Sequence, residues 1–274
     1  AQKKAAENGR RESNWDFGTN PCSEIILRPN QFCNLTEIVV RAGDTINTLT
    51  RKIKVATLLG TIQSTFTNFG YLRKVWQDNT EEERLLGVSL TGIMDSELLN
   101  GKESGLAKTL ETLKKVAVEC NKEYAEKFNI NQSTAITCVK PSGTVSQLVD
   151  SASGIHARHN PYYIRTVRGD NKDPLTEFLK ASGIPSEPDV MKPDHTTVFS
   201  FPMMAPKGSV CRTDMTAIQQ LEIWKTYAKH WCEHKPSVTI SVKEDEWVPV
   251  GAWCWENFEY LSGVSFLPFS DHTY

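Results

Sequence analysis

The sequence lacks any long uncharged apolar run, and it has no excess of charge of either sign. No stretch of about 18 apolar residues occurs, which argues against a transmembrane helix. The polar start AQKKAAENGRRES also differs from a secretory leader. Because 31 basic and 33 acidic side chains leave a net charge of −2, the sequence does not indicate binding to nucleic acid or to an anionic membrane. We therefore expect a soluble cytoplasmic protein that acts on a small molecule.

Cysteine is also scarce. Seven cysteines in 274 residues, an odd number, are too few for a disulfide scaffold. A cysteine that acts in this chain is therefore expected to be redox-active, catalytic or metal-bound. The residues that could bind zinc are Cys211, His230, Cys232, His234 and Cys254. They lack a paired C-x2-4-C knuckle, so we predict no metal site.

The hydrophobic pattern predicts an α/β protein. Apolar residues at three- and four-residue intervals indicate helices, and short β-prone runs indicate strands. The predicted helices cover residues 48–71, 104–128 and 214–234, and the predicted strands cover residues 24–27, 35–40, 135–139, 238–242 and 264–267. The first 19 residues are polar and aperiodic, as in a loop or a helix tail. Without a linker or an internal repeat, we predict one incomplete domain over residues 1–274.

The densest cluster of reactive side chains is the sequence NPCSE, residues 20–24. A carboxylate close to a thiol disfavours the thiolate, which argues against ionic cysteine catalysis. If the segment is extended, Asn20, Cys22 and Glu24 lie on one side, because side chains alternate along a strand. That arrangement suits a thiol that exchanges hydrogen atoms, with Glu24 as general base and Asn20 bound to a hydroxyl group. The alternative is a β-turn with a buried cysteine and a surface glutamate.

A second candidate site is the sequence KPSGTVS, which directly follows the predicted strand 135–139. A helix that begins at Thr144 would present free N–H groups and hydroxyls to phosphate oxygens. The GxxxxGK[ST] order of a Walker loop is absent, and a plain helix N-cap is an equally good interpretation. A basic patch that either helps to neutralise phosphate or is a solvated loop follows, with His156, Arg158, His159, Arg165 and Arg168.

The sequences NPCSE, FCNLTE and KPSGTVSQLVDSASGIHARH together resemble ribonucleotide reductases, from about Asn20 to the C-terminus. Within that family the chain is most similar to the adenosylcobalamin-dependent class II enzymes, and among these to the monomeric ribonucleoside-triphosphate reductases. The resemblance implies that Cys22 becomes a thiyl radical and abstracts the 3′ hydrogen of the ribose. It implies that Glu24 takes the 3′-hydroxyl proton, that Asn20 binds the sugar hydroxyls, and that Cys33 belongs to the redox pair that supplies two electrons. The loop implied to hold the substrate phosphates consists of Pro141, Ser142, Gly143, Thr144, Val145 and Ser146.

The same resemblance implies the other components of the reaction. The cofactor is adenosylcobalamin, whose cobalt–carbon bond breaks homolytically to give the radical that oxidises Cys22. The substrates are ribonucleoside triphosphates, and the reductant is an external dithiol such as thioredoxin. The implied fold is a ten-stranded α/β barrel, of which this chain would supply the later part, without the redox partner of Cys33. Because an incomplete barrel exposes strand edges, we expect no turnover by this polypeptide alone.

Two alternatives remain open at the level of sequence. One is the large subunit of a class I ribonucleoside-diphosphate reductase, which draws its radical from a separate subunit. The other is a nucleotide-binding or zinc-stabilised module without chemistry. The class II interpretation further predicts that the Cys22 thiol faces away from bulk solvent and lies close to the turn at residues 142–144.

Overall fold

The computed structural model describes residues 1–270, which form eight α-helices and nine β-strands. In chain order these are α1 (Gln2–Ala6), β1 (Gly18–Thr19), β2 (Ile26–Leu27), β3 (Asn34–Val39), α2 (Ile46–Gln63), α3 (Lys74–Glu83), β4 (Leu86–Thr91), α4 (Leu106–Phe128), α5 (Val145–Leu148), β5 (Tyr162–Asp170), α6 (Pro174–Ala181), β6 (Ser186–Pro188), β7 (Thr196–Met204), α7 (Ala217–His230), β8 (Val238–Val242), α8 (Trp247–Glu256) and β9 (Val264–Pro268). Backbone contacts divide the chain into two compact units. The first is Ala1–Arg158 with the chain from Gly208 onward, and the second is His159–Lys207. The prediction of one domain stays a prediction.

Parallel strands form the centre of the first unit. β3 pairs in parallel with β4, and β8 pairs in parallel with β9. Between these two pairs, the segment 135–139 makes single parallel bridges to Val88 and Pro236. The strand predicted there is therefore an extended segment without a continuous ladder. The physical reason is that the Thr137 carbonyl accepts the N–H groups of Glu233 and His234, which belong to the turn after α7.

Helices α2 and α4 pack against each other beside the parallel strands. Each has the apolar stripe that the sequence predicts, with Leu49 and Ile53 fully buried on α2 and Leu110 and Leu113 fully buried on α4. A capping box at Thr45 begins α2. The predicted helix 48–71 ends early, at Gln63, because the sequence STFTNFG that follows is rich in residues of low helix propensity.

Helix α7 supplies the largest buried side chains of the first unit. Trp224, Tyr227 and Trp231 are fully buried. The Trp224 indole donates to the Pro236 carbonyl at 3.0 Å, and the Trp231 indole donates to the Cys138 carbonyl at 2.8 Å. These bonds fix the backbone of segment 135–139 and the start of β8 to one helix. The helix is shorter than the predicted 214–234 because Thr216 caps its start in a capping box.

The N-terminal residues are held by buried charge rather than forming a loose tail. The Arg11 guanidinium is buried and donates to both carboxylate oxygens of Glu83 at 2.8 Å. It also donates to the Ile26 carbonyl at 2.9 Å, which belongs to β2. Such a bidentate pair fixes geometry as well as charge. The segment before β1 therefore helps to hold the β1–β2 hairpin in place.

The second unit is a small antiparallel sheet with one helix. β7 lies between β5 and β6 and pairs antiparallel with both. Helix α6 begins at Pro174, with Asp173 as its N-cap. None of these elements is predicted from the sequence.

The architecture of residues 1–270 is α/β, as the sequence predicts. Their strands form four sheets of two or three strands each, and these residues show no closed barrel. No helix in the described part of the chain is long and apolar enough to cross a membrane.

Candidate active site

Residues 20–25 form a tight turn between β1 and β2. The Asn20 carbonyl accepts the Ser23 N–H at 2.9 Å, and the Asn20 side-chain oxygen accepts the Ile25 N–H at 3.0 Å. Ser23 takes a left-handed conformation with a φ of 62°. The extended conformation that the sequence analysis assumed is therefore wrong. The physical reason is that the asparagine side chain bonds to nearby backbone and closes a turn.

The turn separates the two reactive side chains by burial. Cys22 is exposed, whereas Glu24 is fully buried. This is the reverse of the alternative that predicts a buried cysteine and a surface glutamate. The expectation that the Cys22 thiol faces away from solvent is also wrong for this chain, because Cys22 occupies the outer part of the turn.

The Glu24 carboxylate has one bonded oxygen and one free oxygen. Its Oε1 accepts the Asn20 amide at 2.8 Å and the Lys140 ammonium at 3.1 Å. Its Oε2 is buried and has no hydrogen-bond partner among the described residues. A buried carboxylate oxygen without a donor is energetically costly, so it is suited to accept a proton or a hydroxyl group from a bound molecule.

The contact with Lys140 joins this carboxylate to the second candidate site. Lys140 directly precedes the loop of residues 141–146, and its backbone N–H donates to the Ser89 hydroxyl at 2.8 Å. The pKa of Lys140 is lowered by burial, but the hydrogen bond and charge of Glu24 outweigh this effect and hold the pKa above its ordinary value. The Cys22 sulfur also contributes to raising it. That the Cys22 thiol lies close to the turn at residues 142–144 stays a prediction.

The loop itself presents backbone donors to solvent. Gly143, Thr144 and Val145 are exposed, and their N–H groups have no acceptor among the described residues. Helix α5 follows as a single turn, and the Thr144 side chain makes no capping hydrogen bond. The loop is therefore not an ordinary side-chain N-cap, and its free donors point to an anionic ligand.

Two serine hydroxyl groups donate hydrogen bonds to backbone carbonyls of the loop. The Ser146 hydroxyl, which is buried, donates to the Ser142 carbonyl, and the Ser153 hydroxyl donates to the Pro141 carbonyl. Gly154 has a φ of +54°, and a Cβ at this position would lie 2.5 Å from the Lys140 carbonyl oxygen. Serine hydroxyls therefore already bind the carbonyls of Pro141 and Ser142. The N–H groups are the part of the loop that remains available to a ligand.

The predicted basic patch does not contribute Arg158 to this site. Arg158 is buried and donates to both carboxylate oxygens of Asp95 at 2.8 Å. It also pairs with Asp150 at 3.0 Å. The Asp95 carboxylate in turn accepts the Ala152 N–H at 2.8 Å, so this ion pair anchors the chain just after α5. His159, Arg165 and Arg168 lie in the second unit.

Cys33 lies just before β3, next to Gly87 of β4. A Cβ at Gly87 would lie 3.2 Å from the Cys33 sulfur and 2.4 Å from the Leu35 side chain, so only glycine leaves room for both. Burial raises the pKa of the Cys33 thiol, and the charge of Glu24 raises it further. A protonated thiol is a poor ionic nucleophile, but together with a second thiol it can form a disulfide, and the pair then releases two electrons and two protons.

Glu37 on β3 is a site residue that the sequence analysis missed. Burial raises its pKa, while the neighbouring Ser142 hydroxyl and the Lys140 charge act in the opposite direction. One of its carboxylate oxygens has no partner among the described residues. The available signal was its position, since strand residues 33, 35 and 37 share one face.

His234 is a second missed residue, and it positions the turn. Its Nε2–H donates to the Leu86 carbonyl at 2.9 Å, and its Nδ1 accepts the Ile26 N–H at 3.3 Å. The neighbouring Lys235 N–H donates to the Glu24 carbonyl at 2.9 Å. Burial lowers the pKa of His234 from 6.5 to about 3, with the charge of Arg11 acting in the same direction. The neutral imidazole therefore ties β2 and Glu24 to β4.

His234 gives an expected pH dependence of stability. Its native pKa is lower than its unfolded pKa, so the unfolded state binds the proton first, and the stability present above pH 6.5 is lost as the pH falls towards about 3. One proton corresponds to a slope of about 1.4 kcal/mol per pH unit. Urea unfolding between pH 7 and 4 should show this slope reduced in H234Q, whose amide can still donate to Leu86. H195Q alters an exposed histidine and should keep it. An equal slope in H234Q and the unaltered chain would contradict the assignment.

The cofactor implied by the resemblance finds one matching group in residues 1–270. The exposed Cys22 thiol is open to the approach of a bulky molecule, and thiol is the right chemistry to receive a radical. No described residue can be assigned to the corrin ring, and no group of three or more His, Cys, Asp or Glu side chains in residues 1–270 could hold a metal ion. The fit is therefore limited to this thiol.

Curated proteins similar to this chain are ribonucleotide reductases. No family model matches the chain. Adenosylcobalamin-dependent ribonucleoside-triphosphate reductases from Lactobacillus gasseri and Euglena gracilis are 27% and 30% identical to it, each over 92% of this chain. A probable enzyme of the same name from Dictyostelium discoideum is 30% identical over 94% of the chain. The chain spans only 37%, 34% and 33% of these three relatives.

Solved structures agree on the fold. A crystal structure of a B-12 dependent (class II) ribonucleotide reductase matches 94% of this chain with a TM-score of 0.81 at 24% identity, and the match covers 39% of that protein. The class Id ribonucleotide reductase alpha subunit of Actinobacillus ureae matches 98% of the chain with a TM-score of 0.56 at 13% identity, over 55% of that protein. Over 92% of its length the chain is similar to adenosylcobalamin-dependent ribonucleoside-triphosphate reductases, and it spans about a third of the length of each of these relatives.

Proposed function

We propose that this chain carries the radical cysteine and the phosphate loop of a class II ribonucleotide reductase. The whole cytoplasmic protein would reduce ribonucleoside triphosphates to 2′-deoxyribonucleotides for DNA synthesis. The observation that carries the proposal is the buried Glu24 carboxylate, whose Oε2 is free. This carboxylate belongs to the turn that carries Cys22. It also contacts Lys140, the residue that precedes the loop with free N–H groups. The triphosphate and class II assignments rest on the relatives that the chain matches.

Residues of this chain provide the hydrogen-atom and proton transfers at the sugar. Adenosylcobalamin, when bound, supplies the one-electron oxidation that converts the Cys22 thiol to a thiyl radical. The Cys22 sulfur then takes the 3′ hydrogen atom of the ribose, so that an S–H bond forms and a radical remains at C3′. Glu24 Oε2 accepts the 3′-hydroxyl proton. Asn20 holds Oε1 of the same carboxylate at 2.8 Å, which orients Oε2 towards the substrate.

The redox cysteine completes the balance of the reaction. Cys33 and a partner thiol form a disulfide and release two electrons and two protons. One proton leaves with the 2′-hydroxyl as water, and the other hydrogen replaces that hydroxyl at C2′. Glu24 returns its proton to the 3′-oxygen, and Cys22 returns its hydrogen atom to C3′. An external dithiol such as thioredoxin then reduces the disulfide.

The phosphate loop fixes the nucleotide for these steps. The exposed N–H groups of Gly143, Thr144 and Val145 would bind phosphate oxygens. The buried Ser142 hydroxyl, a neighbour of Glu37, would provide a further donor. Binding the distant phosphates at a fixed loop supplies the orientation that places the ribose at Cys22.

The exposure of Cys22 bears on what the chain can do alone. A sulfur radical that is open to solvent is quenched by side reactions, which a closed active site prevents. This supports the expectation that the 274-residue chain alone does not turn over.

A two-protein assay tests the proposed function. The 274-residue chain and a form extended to the length of the relatives are each incubated with a ribonucleoside triphosphate, a dithiol, and either adenosylcobalamin or no cofactor. We expect deoxynucleotide formation over many turnovers only by the long form and only with adenosylcobalamin. Turnover of the long form without adenosylcobalamin would contradict the class II assignment. Repeated turnover by the short chain would contradict its incompleteness.

A further inference from the structure

The two oxygens of the Glu24 carboxylate have unequal surroundings, and a lysine accounts for part of the difference. Oε1 accepts hydrogen bonds from the Asn20 amide and from the Lys140 ammonium, whereas Oε2 has no partner among the described residues. Asn20 belongs to the same turn as Glu24, but Lys140 comes from a different part of the chain, 116 residues away. The Glu24 side chain is fully buried and that of Lys140 is partly buried, so water screens the attraction between the two charges only in part.

The backbone holds Lys140 in this position. Its N–H donates to the Ser89 hydroxyl at 2.8 Å, and its carbonyl lies against Gly154. The side chain is 33% exposed, so the ammonium reaches from the edge of the site towards the buried carboxylate. The titratable groups that interact with this ammonium are Glu24 and Cys22 on the turn, Cys33 and Glu37 at β3, and Cys138 on the segment 135–139.

We infer that Lys140 is a positioning residue for Glu24, which holds Oε1 in an ion pair so that Oε2 is the oxygen that meets the substrate hydroxyl. This inference rests on the proposed function. With the ammonium removed, the buried carboxylate keeps only a neutral amide donor. Either oxygen is then free to turn towards the substrate, because no charged partner holds Oε1.

The position of Lys140 also allows a second role, which the test must distinguish from the positioning of Glu24. The residue precedes the phosphate loop, so its charge could act on the phosphates alone. If a phosphate contact contributes equally to the ground state and the transition state, its loss raises KM without changing kcat. A positioning role for the base lowers kcat and changes the pH dependence of the rate.

The test compares K140M and K140R with the unaltered long form in the adenosylcobalamin assay, over a range of pH. We expect K140M to lower kcat about 10- to 100-fold, the effect of losing one charged hydrogen bond, with little change in KM for the triphosphate. The pH dependence of its rate should also differ from that of the unaltered long form. K140R should restore most of kcat, because the guanidinium keeps both the charge and a donor.

A control and a second variant keep the result interpretable. K115M removes an exposed lysine of α4 that pairs with Glu119, and it should leave kcat and KM unchanged. If K140M does not fold, as judged by its circular dichroism, K140Q takes its place with the same expectation. A raised KM with unchanged kcat and pH profile would overturn the inference in favour of a phosphate contact, and unaltered kinetics would overturn it as well. Turnover by C22S would instead refute the proposed function.

Discussion

Replacing Cys22 with serine in the long form is expected to abolish deoxynucleotide formation. The proposed reaction needs a side chain that gives up and recovers a hydrogen atom in every cycle. A serine hydroxyl holds its hydrogen more tightly than a thiol does, so C22S cannot form the reacting radical. Because Cys22 is exposed, the substitution should change the free energy of unfolding by no more than about 0.5 kcal/mol. Loss of activity would then be a chemical effect and not an effect on folding.

The measurement combines turnover with nucleotide binding. C22S should show no product above the blank reaction, while its dissociation constant for the triphosphate stays within about twofold, since the loop at residues 141–146 is unaltered. C254S is the control, because Cys254 lies on α8 and takes no part in the proposed site, and it should keep full activity. If C22S retained a tenth or more of the turnover, a thiyl radical at this position would be refuted.

The sequence predicts those parts of the fold whose pattern is regular. Helices α2 and α4 were predicted because each has a single apolar stripe at helical spacing. β4 was missed because all six of its residues are buried, so the alternation of a half-exposed strand is absent. β5 was missed for the opposite reason, since its residues are mostly exposed and include charged side chains. A periodic pattern arises only where one face of an element is buried.

Some residues of the candidate site can be identified from a short sequence, and others are brought to the site only by the folded chain. Cys22, Glu24 and the loop at residues 141–146 were named from short sequences that are similar to a known family. The turn that buries Glu24 was not foreseen, because it depends on the hydrogen bonds of one asparagine side chain. Lys140 and His234 act across 116 and 208 residues, so only the folded chain brings them to the turn.

Replacing Glu24 with glutamine tests the proton transfer separately from the radical. The amide keeps the volume of the side chain, and its oxygen can still accept hydrogen bonds from Asn20 and Lys140. The NH2 group then takes the place of Oε2, so the position that should accept the 3′-hydroxyl proton becomes a donor. We expect E24Q to lower kcat about 10²- to 10⁴-fold, the usual contribution of a general base, with KM nearly unchanged. Unlike C22S, it should keep a measurable residual rate, because the hydrogen-atom step remains.

The pH profile of E24Q distinguishes loss of the base from a change of structure. If Glu24 is the group whose protonation limits the rate at low pH, the acidic limb should disappear in E24Q, because glutamine does not titrate. E119Q alters an exposed glutamate of α4 and should retain both the limb and the full rate. A kcat for E24Q within threefold of the unaltered protein, or an acidic limb that persists, would show that the proton goes elsewhere. Among the described residues, the other buried carboxylate oxygen without a hydrogen-bond partner belongs to Glu37, so E37Q would then be the variant to lose the limb.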